Sequence, residues 1–470
     1  MDWKHLLNGE RIRTYSKSTV SADLRSEFEK DYHRIIGSAA FRRLQDKTQV
    51  FPLDKNDFIR TRLTHSLEVS SFCRSLGKNV GTVLANDPKI KDFGMQEKED
   101  ICNILQCAGL IHDIGNPPFG HFGEDAIREW CEKNFENIKY KGKKITDILT
   151  EQQLNDFYNF EGNTQALRVV TKLHFLVDEH GMNLTKALLG TIVKYPVSSL
   201  EIKKQKDDIK CKKMGYFYAD KEIFEEIQES LGTNGCRHPL TYLLEAADDI
   251  AYKTADIEDA VKKGCLRYSD LLEELRKYAD ENGSNEAYNN AVAKLEHKYE
   301  TGLKVDSHQA DVYAVQNWVV GIQGQMLYAA SDSFIEHYDE IMDGSYRFEL
   351  FKGSKVEGLM DVLGKIAYKY AFTSKPIYKL EIAADTIFNF LLEKYTNAVM
   401  YIDDEDLQST LDKRVLGLIS DDYKRIYKIY SKGKEEDEKL YLRLLLATDY
   451  ISGMTDTFAK NIYQEFRGIV

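Results

Sequence analysis

The 470-residue sequence has no run of apolar residues approaching the roughly 18 that a membrane-crossing helix requires. Residues 1–5 lack the apolar stretch of a signal peptide. Only seven prolines are present, too few for a Pro-rich linker protein, and the seven cysteines form no CxxC pair. This cysteine pattern argues against both a disulfide framework and a zinc knuckle. We therefore expect a soluble, cytoplasmic protein that is not membrane-bound and keeps its cysteines reduced.

Positive charge is also scarce. The chain carries 64 lysines and arginines against 76 aspartates and glutamates, a formal net charge of -12 at pH 7. This balance disfavours a protein that coats nucleic acid along its whole surface, although local basic patches are compatible with it. Hydrophobic residues make up 43% and aromatic residues 11% of the chain, which is enough for a packed core and excludes a disordered protein.

Hydrophobic periodicity predicts a mostly α-helical protein, because apolar residues recur at helical spacing rather than in the alternation of a strand. The predicted helical segments are 67–84, 101–112, 240–252, 315–342, 380–401 and 440–466. A break between helices is expected at 139–144, and one short β-hairpin is expected within 194–218. Six lysines among the eleven residues 203–213 predict a solvated loop.

Two residues of metal-binding type end one of the predicted helices. His112 follows Ala108 by four residues on an apolar stripe and therefore points inward. Asp113 would lie about 100° away around a continuing helix, so the two side chains converge only if the helix ends there. Gly115 and the proline pair at 117–118 supply that ending.

Two further residues complete a candidate metal set. Asp248 lies within the buried stripe of the helix predicted at 240–252, and an ionised carboxylate buried without a partner is costly. A cation or strong donors should therefore face it. Together with His65 it completes a set of two imidazoles and two carboxylates on separate helices: His65, His112, Asp113 and Asp248. Such a set suits one divalent metal with positions left open for substrate oxygens.

Six stretches around these residues carry a resemblance to a known family. They are 32–51 (YHRIIGSAAFRRLQDKTQVF), 60–67 (RTRLTHSL), 112–124 (HDIGNPPFGHFGE), 160–167 (FEGNTQAL), 245–252 (EAADDIAY) and 449–459 (DYISGMTDTFA). Their order resembles the HD superfamily of metal-dependent phosphohydrolases. Their residues resemble its bacterial deoxyguanosinetriphosphate triphosphohydrolase (dGTPase) branch. The stretch 112–124 is the most specific of the six, whereas most of 262–375 cannot be matched residue by residue.

The resemblance implies a fold and a reaction. The fold is an HD-domain helical bundle enlarged by C-terminal helices, with a core in residues 1–270 and an extension, 271–470, packed on it. The four residues named above would bind one divalent metal, Mg²⁺ or Mn²⁺, with other transition metals also compatible. The implied reaction is attack of water on the α-phosphate of a deoxynucleoside triphosphate (dNTP), giving a deoxynucleoside and tripolyphosphate. dGTP is the substrate that this branch favours.

The family assigns the catalytic role to His121 and Glu124. Their i, i+3 spacing after the Gly/Pro turn lets the carboxylate orient the imidazole, which can then take a proton from water. In the alternative interpretation, Glu124 is only a negative charge at the start of a helix, where it stabilises the helix through its dipole.

The resemblance also implies contacts to the phosphates. Arg62 lies three residues before His65 on the same helical face and could reach a phosphate that the metal also holds. Lys194 resembles a phosphate-contacting lysine of the family, with an ordinary surface lysine as the alternative. Asn163 resembles a further polar residue of the active site.

A third group of residues would bind the sugar. Tyr252 and Asp256 follow Asp248 at spacings of four and so lie on one helix face. The family uses this tyrosine and aspartate around the deoxyribose together with a glutamine, here Gln49. Polar groups hold the 3′-hydroxyl, and the tyrosine ring leaves little room for a 2′-hydroxyl, so ribonucleotides are excluded sterically.

Two other function classes stay open. Another HD phosphohydrolase, such as a nucleotidase, is disfavoured because Ile-Gly-Asn follows the His-Asp pair and the chain contains no adjacent histidine pair. A nucleotide-sensing or single-stranded-DNA-binding oligomer with weak catalysis is disfavoured because His121 and Glu124 are retained. By resemblance we expect a homo-oligomer, specifically a hexamer, with dNTP activation at subunit junctions. DNA association could accompany catalysis.

Overall fold

The computed structural model describes residues 1–13, 23–49, 59–175, 178–203, 208–373 and 375–469, without the side chains of 375 and 376. This part of the chain is mostly α-helical, as the sequence predicts, and none of its helices is long and apolar enough to cross a membrane. Two predictions fall partly elsewhere: Val50 and Phe51 in one family-like stretch, and residues 204–207 of the lysine-rich loop, lie outside the described residues.

We number the helices of the described residues in chain order. The first eleven are α1 (Trp3–Leu6), α2 (Glu27–Ile36), α3 (Ala39–Arg43), α4 (Arg62–Asn86), α5 (Met95–Ile111), α6 (His121–Asn134), α7 (Glu151–Tyr158), α8 (Gly162–Arg168), α9 (Lys186–Ile192), α10 (Lys221–Leu231) and α11 (Pro239–Lys262). The others are α12 (Tyr268–Asn282), α13 (Glu286–Val305), α14 (Ala310–Glu336), α15 (Tyr338–Asp343), α16 (Glu357–Ala367), α17 (Lys375–Val399), α18 (Thr410–Leu418), α19 (Asp421–Tyr430), α20 (Glu436–Ser452) and α21 (Asp456–Phe466). Short 3₁₀ or π turns join several of them.

The β-hairpin exists, but not where it was predicted. Strand β1 (Lys139–Tyr140) pairs antiparallel with β2 (Lys143–Lys144). The two turn residues between them, Lys141 and Gly142, have φ angles of 48° and 85°, the positive values that a two-residue hairpin requires. The predicted break at 139–144 is therefore the hairpin itself.

The segment 194–218 forms no strand among its described residues, so the location predicted for the hairpin is wrong. Its backbone makes isolated hydrogen bonds, from Lys203 N–H to the Cys211 carbonyl and from Gly215 N–H to the Val197 carbonyl, both at 2.9 Å. These bonds bring the two arms together but do not form a continuous ladder, because 3₁₀ turns interrupt the second arm.

Three helices form the centre of the fold. α4 packs against α5, and α11 packs against both. Gly109 permits the close approach of α4 and α5, since a Cβ atom there would lie 2.6 Å from the Cα of Ser70. α4 begins at Arg62, where the N-cap Thr61 accepts a hydrogen bond from Thr64 N–H at 3.4 Å. α5 ends at Ile111, so the predicted helix ending beside His112 is confirmed.

The helices after α11 pack around this centre. α14 contacts α11 and α4, α16 contacts α11, and α17 contacts α6. Buried apolar residues form one large cluster that extends from Trp3 to Ile462. The predicted boundary at residue 270 falls near the start of α12, and the division into two parts stays a prediction.

Two long helices of the sequence prediction are each divided in the structure. His337 separates α14 from α15 within 315–342. The second division lies within 440–466, where α20 ends at Ser452. There Thr455 accepts a hydrogen bond from Phe458 N–H at 3.3 Å and so caps the start of α21.

Candidate metal centre and active site

The structure brings the predicted metal ligands together at the centre of the fold. His65 lies in the first turn of α4, His112 directly follows α5, and both are buried. Their ring centroids are 5.4 Å apart. Ligand atoms of His65, His112 and Asp113 lie within 4.8 Å of one another, which is close enough to share one ion.

Asp248 closes this cluster from α11. Its Oδ1 lies 3.2 Å from His65 Nε2 and 3.4 Å from His112 Nε2. Its Oδ2 accepts a hydrogen bond from Lys194 Nζ at 3.0 Å. Burial alone would raise the pKa of Asp248, but the charge of Lys194 outweighs this and holds the pKa well below its usual range. The cation and donors that a carboxylate at this position requires are therefore present.

One ring nitrogen of His112 is oriented as a metal ligand would be. Its Nδ1 lies 2.8 Å from the Gly109 carbonyl, and because a carbonyl oxygen only accepts, we assign the proton to Nδ1. Nε2 then carries a lone pair, and it is buried without a hydrogen-bond donor among the described residues. A backbone carbonyl that fixes the outer nitrogen of an imidazole is the usual second interaction of a metal-binding histidine. The donor set therefore fits a divalent metal.

Arg62 lies beside this cluster, as predicted. Its Nη1 donates to Asp113 Oδ2 at 2.5 Å, and the side chain is buried. The other end of its guanidinium faces the turn before α6, because a Cβ atom at Gly120 would lie 2.6 Å from Nη2. Arg62 thus places positive charge between the metal-type residues and His121.

His121 and Glu124 form a hydrogen-bonded pair at the start of α6. His121 Nδ1 lies 2.9 Å from Glu124 Oε2, and Glu124 Oε1 accepts from Gly162 N–H at 2.7 Å. The His121 side chain is 71% exposed, whereas that of Glu124 is 1% exposed. The hydrogen bond to Glu124 raises the pKa of His121. Glu124 is therefore more than a charge at a helix start, because it orients an imidazole that faces water.

The predicted sugar-binding residues include two acceptors without donors. Asp256 is buried, and neither of its carboxylate oxygens has a hydrogen-bond partner within the described part of the chain; the same is true of Gln49 Oε1. Burial and the charge of Asp259 raise the pKa of Asp256 well above its usual range, although the charge of Arg60 and the Tyr252 hydroxyl oppose this. The Tyr252 ring stacks on Phe372 with centroids 6.0 Å apart and is held in place by it.

The last two predicted residues have different surroundings. Lys194 is buried against Asp248, so the alternative of an ordinary surface lysine is wrong. Burial lowers its pKa, but the charges of Asp248 and Glu245 outweigh this and raise it. Asn163 is half-buried, and its Nδ2 donates to Glu161 Oε1 at 2.9 Å. Gly162, which lies between these two residues, is the glycine whose N–H contacts Glu124.

Lys213 is a residue of the site that was not predicted. It belongs to the segment predicted to be a solvated loop, yet its Nζ lies 2.8 Å from Oε2 of the buried Glu161. Its charge helps to lower the pKa of Glu124, although burial opposes this. A run of lysines carries no signal for which one folds inward.

Asn116 is a second missed residue. Its Nδ2 donates to Asp113 Oδ1 at 2.8 Å and so fixes the second carboxylate of the cluster. The residue was inside the family-like stretch 112–124, but its spacing from Asp113 indicated only a turn. The stretch was therefore recognisable in the sequence, but the role of this amide was not.

Similar proteins point to the same class. Residues 62–194 match the family model of the HD domain. The chain is 47% identical over 476 residues to a deoxyguanosinetriphosphate triphosphohydrolase-like protein of Listeria monocytogenes serovar 1/2a, with 100% of both chains covered. It is 33% identical over 482 residues to a protein of the same description from Synechocystis sp., again with 100% of both covered. It is 31% identical over 515 residues to the deoxyguanosinetriphosphate triphosphohydrolase of Yersinia pseudotuberculosis serotype O:3, covering 100% of this chain and 99% of that one.

The HD domain and the mostly α-helical fold define the class as metal-dependent phosphohydrolases. Within that class, the chain belongs to the deoxyguanosinetriphosphate triphosphohydrolase family, since its similarity to these relatives extends over its full length.

Proposed function

We propose that the protein is a dNTP triphosphohydrolase that prefers dGTP and converts dGTP and water to deoxyguanosine and tripolyphosphate. The observation that carries this proposal is the order of side chains along one face of α11. Asp248 contacts two histidines and a lysine, whereas Asp256, two turns further on, has no donor among the described residues. The first environment suits a metal-bound polyphosphate, and the second suits a sugar hydroxyl.

His65, His112, Asp113 and Asp248 would hold one divalent metal. Their carboxylate oxygens favour Mg²⁺, and their imidazoles also accept Mn²⁺ or another transition metal. Such an ion would neutralise and polarise the α-phosphate. The fit of the donor set rests on the unpartnered Nε2 of His112 and on the Gly109 carbonyl that orients its ring.

His121 is the proposed general base. With its Nδ1 proton donated to Glu124, Nε2 is free to accept a proton from water. The water oxygen attacks the α-phosphorus as His121 takes a proton from it, and the bond from that phosphorus to the 5′-oxygen breaks. The 5′-oxygen takes up a proton from solvent as the deoxynucleoside leaves, and His121 returns its proton to solvent. Arg62 and Lys194, the cations beside the metal-type cluster, would bind oxygens of the triphosphate.

Gln49, Tyr252 and Asp256 are the proposed sugar site. The unpartnered side chains of Asp256 and Gln49 would hydrogen-bond the 3′-hydroxyl, and the Tyr252 ring, held by Phe372, would exclude a 2′-hydroxyl. Asn163 is proposed as a further polar contact at the edge of the site, held by Glu161. These assignments follow the family pattern and the surroundings of each side chain.

The assembly is part of the proposal by resemblance. It is a cytoplasmic homo-oligomer, specifically a hexamer, which a dNTP activates at subunit junctions and which also associates with single-stranded DNA. Light scattering with and without dNTP tests the assembly. Binding of single-stranded DNA measured over a series of salt concentrations tests the last part, because contacts to phosphates weaken as salt increases.

Incubation of the purified protein with each dNTP and with GTP, in Mg²⁺ and separately in Mn²⁺, tests the function directly. We expect tripolyphosphate and a deoxynucleoside from dGTP, identified by chromatography. Release of orthophosphate or pyrophosphate would instead indicate another HD phosphohydrolase. If no dNTP is cleaved, even in mixtures that could supply an activator, the proposal is wrong and a nucleotide-sensing role becomes the better hypothesis.

A further inference from the structure

The stretch 449–459 near the C-terminus resembles the family, yet the proposed reaction gives none of its residues a role. It contains the end of α20, a short turn, and the start of α21 at Asp456. Asp456 is 1% exposed, which is unusual for an aspartate in the first turn of a helix. Such a buried carboxylate requires donors, and the structure shows where they come from.

Asp456 accepts hydrogen bonds from two segments of the active site. Its Oδ1 accepts from Phe119 N–H at 2.9 Å. Its Oδ2 accepts from Thr48 N–H at 3.0 Å and from the Thr48 hydroxyl at 2.6 Å. Phe119 is two residues before His121, and Thr48 is directly before Gln49. One carboxylate therefore joins the turn that leads to the proposed base with the segment that leads to the proposed sugar site.

The turn at Phe119 needs such an anchor. Phe119 and Gly120 have φ angles of 61° and 60°, and the left-handed region is unfavourable for phenylalanine. The Phe119 ring is buried and meets Phe388 edge-on, with centroids 6.3 Å apart. If Phe119 relaxed to a negative φ, the chain direction into α6 would change, and His121 at its first position would move.

Lys47 forms a second hydrogen-bonded connection between the C-terminal stretch and the active site. Lys47 Nζ donates to the Asn116 carbonyl at 2.6 Å and to the Ser452 carbonyl at 2.9 Å. The Lys47 carbonyl accepts from Arg62 N–H at 2.9 Å, at the start of α4. The turn between α20 and α21 is thus tied to the loop after the metal-type residues and to the helix that carries His65.

We propose that Asp456 is a positioning residue, which holds the 117–120 turn so that His121 faces the α-phosphate and holds 47–49 so that Gln49 faces the sugar. This rests on the proposed function of the site, and it assigns to the C-terminal stretch the task of aligning base and sugar site. Asp456 would act only through Phe119 and Thr48, the two residues whose hydrogen bonds it accepts.

The test compares Asp456→Ala and Asp456→Asn with Thr455→Ala in the full-length protein. Thr455→Ala is the matched control, because it removes the N-cap of the same helix without touching the 117–120 turn. We expect Asp456→Ala to lower kcat for dGTP by about 10- to 100-fold, in the range that a misplacement of about 1 Å causes. Bound metal should be unchanged, and Thr455→Ala should stay within about twofold of the wild type.

Two further variants separate positioning from a general loss of structure. Asp456→Asn keeps the shape but has a single carbonyl acceptor for the two arms, so kcat should fall between those of the wild type and Asp456→Ala. Thr48→Val removes only the hydroxyl bond next to Gln49, so it should raise KM more than it lowers kcat. Equal losses of kcat in Thr455→Ala and Asp456→Ala would overturn the proposal, because the effect would then come from α21 stability alone.

Amide hydrogen exchange provides a readout that does not depend on activity. Asp456→Asn should speed exchange in peptides covering 115–124, and Thr455→Ala should not. Unchanged exchange in that segment would overturn the positioning role whether or not the enzyme is active. If the wild type cleaves no nucleotide, the proposed function fails, and faster exchange in Asp456→Asn would still support the anchoring of this turn.

Discussion

Asp248 and Asp256 have the same side chain, lie on one helix and differ by two turns, yet their surroundings are opposite. Asp248 is near Lys194, His65 and His112, and its pKa is held well below the usual value. Asp256 is buried without a donor among the described residues, and its pKa is raised. The comparison teaches that neighbours, and not residue type, prepare one carboxylate for a cation and the other for a hydroxyl.

The largest effect is expected from substitution of Asp248, the aspartate that contacts charged residues. Asp248→Asn should lower metal affinity by more than the roughly 10- to 100-fold typical of losing an outer-shell partner, and activity should be lost with it. It also leaves the buried Lys194 without its counter-ion, which should lower the free energy of unfolding by about 3 kcal/mol. Metal analysis of the dialysed protein and urea unfolding measure the two effects.

Asp249→Asn is the matched control for this substitution. Asp249 is the next residue on α11, is half-buried as Asp248 is, and its Oδ1 lies 3.8 Å from Lys253 Nζ. We expect metal content and activity close to those of the wild type. Equal losses of metal and activity in the two variants would contradict a specific role of Asp248 in metal binding.

His121→Ala should reduce kcat by about 10²- to 10⁴-fold with metal content unchanged, because it removes the proposed base but no metal ligand. This separates proton transfer from the metal chemistry at Asp248. Loss of the metal in His121→Ala, with the metal retained in Asp248→Asn, would mean that the two roles are exchanged.

The pH dependence of Glu124→Gln tests separately whether His121 is the general base. The carboxylate raises the pKa of His121, and a general base works only when its imidazole is neutral, so activity should fall as pH decreases through this raised pKa. Removing the negative charge should move the acidic limb of kcat/KM to lower pH and reduce the maximum rate. A limb that does not move would exclude His121 as the titrating base.

Asp256→Asn should have a smaller effect on catalysis and an opposite effect on stability. A lost hydrogen bond to the 3′-hydroxyl should cost about tenfold in kcat/KM for dGTP. At pH 7 the free energy of unfolding should stay equal or rise, since the substitution removes a carboxylate buried without a donor. A fall in stability similar to that of Asp248→Asn would contradict the difference between the two ends of the helix.

Tyr252, between the two aspartates, should act on selectivity. Tyr252→Ala removes the ring and should narrow the preference for dGTP over GTP by up to about tenfold, the scale of a small steric change in a pocket. Tyr252→Phe keeps the ring and should keep the preference. The ratio of kcat/KM values for the two nucleotides measures this, and an unchanged ratio in Tyr252→Ala would remove the residue from sugar selection.

The smallest effect on catalysis is expected at His238, the N-cap of α11, far along the helix from both aspartates. Its Nδ1 accepts from Leu240 N–H at 3.2 Å, and its Nε2–H donates to the Leu6 carbonyl at 3.1 Å. Burial lowers the pKa of His238 from 6.5 to about 4. Below pH 6.5 the unfolded chain therefore binds a proton that the folded chain does not, and stability falls as pH decreases toward 4.

His238→Asn tests this directly, since asparagine is a good N-cap but does not titrate. Between pH 7 and pH 4.5 the wild type should lose about 2–3 kcal/mol more free energy of unfolding than the variant does. Urea unfolding at both pH values gives the difference, and catalytic activity at pH 7 should be nearly equal. Equal pH dependence in the two proteins would show that another group causes the acid sensitivity.

Local features were predictable from the sequence. The positions of His112 and Asp248 followed from helical spacing, because inward positions on a helix are determined within a few residues, and glycine and proline after His112 end its helix. His65 joined them only through its residue type and the family resemblance. The helices themselves followed from apolar periodicity. Their interruptions at His337 and at 453–455 did not, since both flanking segments continue the same apolar pattern.

Features that depend on distant contacts were not predictable in this way. Lys213 meets Glu161 across 52 positions, and Asp456 meets Phe119 across 337. Nothing in the spacing around either residue indicates its partner. The hairpin was placed wrongly for a related reason. Aromatic residues in 194–218 are typical of strands, but in the structure they pack into the core from turns. The true hairpin depends on the positive φ angles of Lys141 and Gly142, which β-propensity does not predict.

Glu124 is enclosed by protein while the ring of its partner His121 is open to water. A water-soluble acylating reagent should therefore reach this imidazole at Nε2 only, since the buried carboxylate engages Nδ1. Peptide mass analysis of the labelled protein would count the assembled sites in a preparation. A bound nucleotide that shields the His121 ring would lower the labelled fraction, so the labelling would measure nucleotide occupancy without turnover.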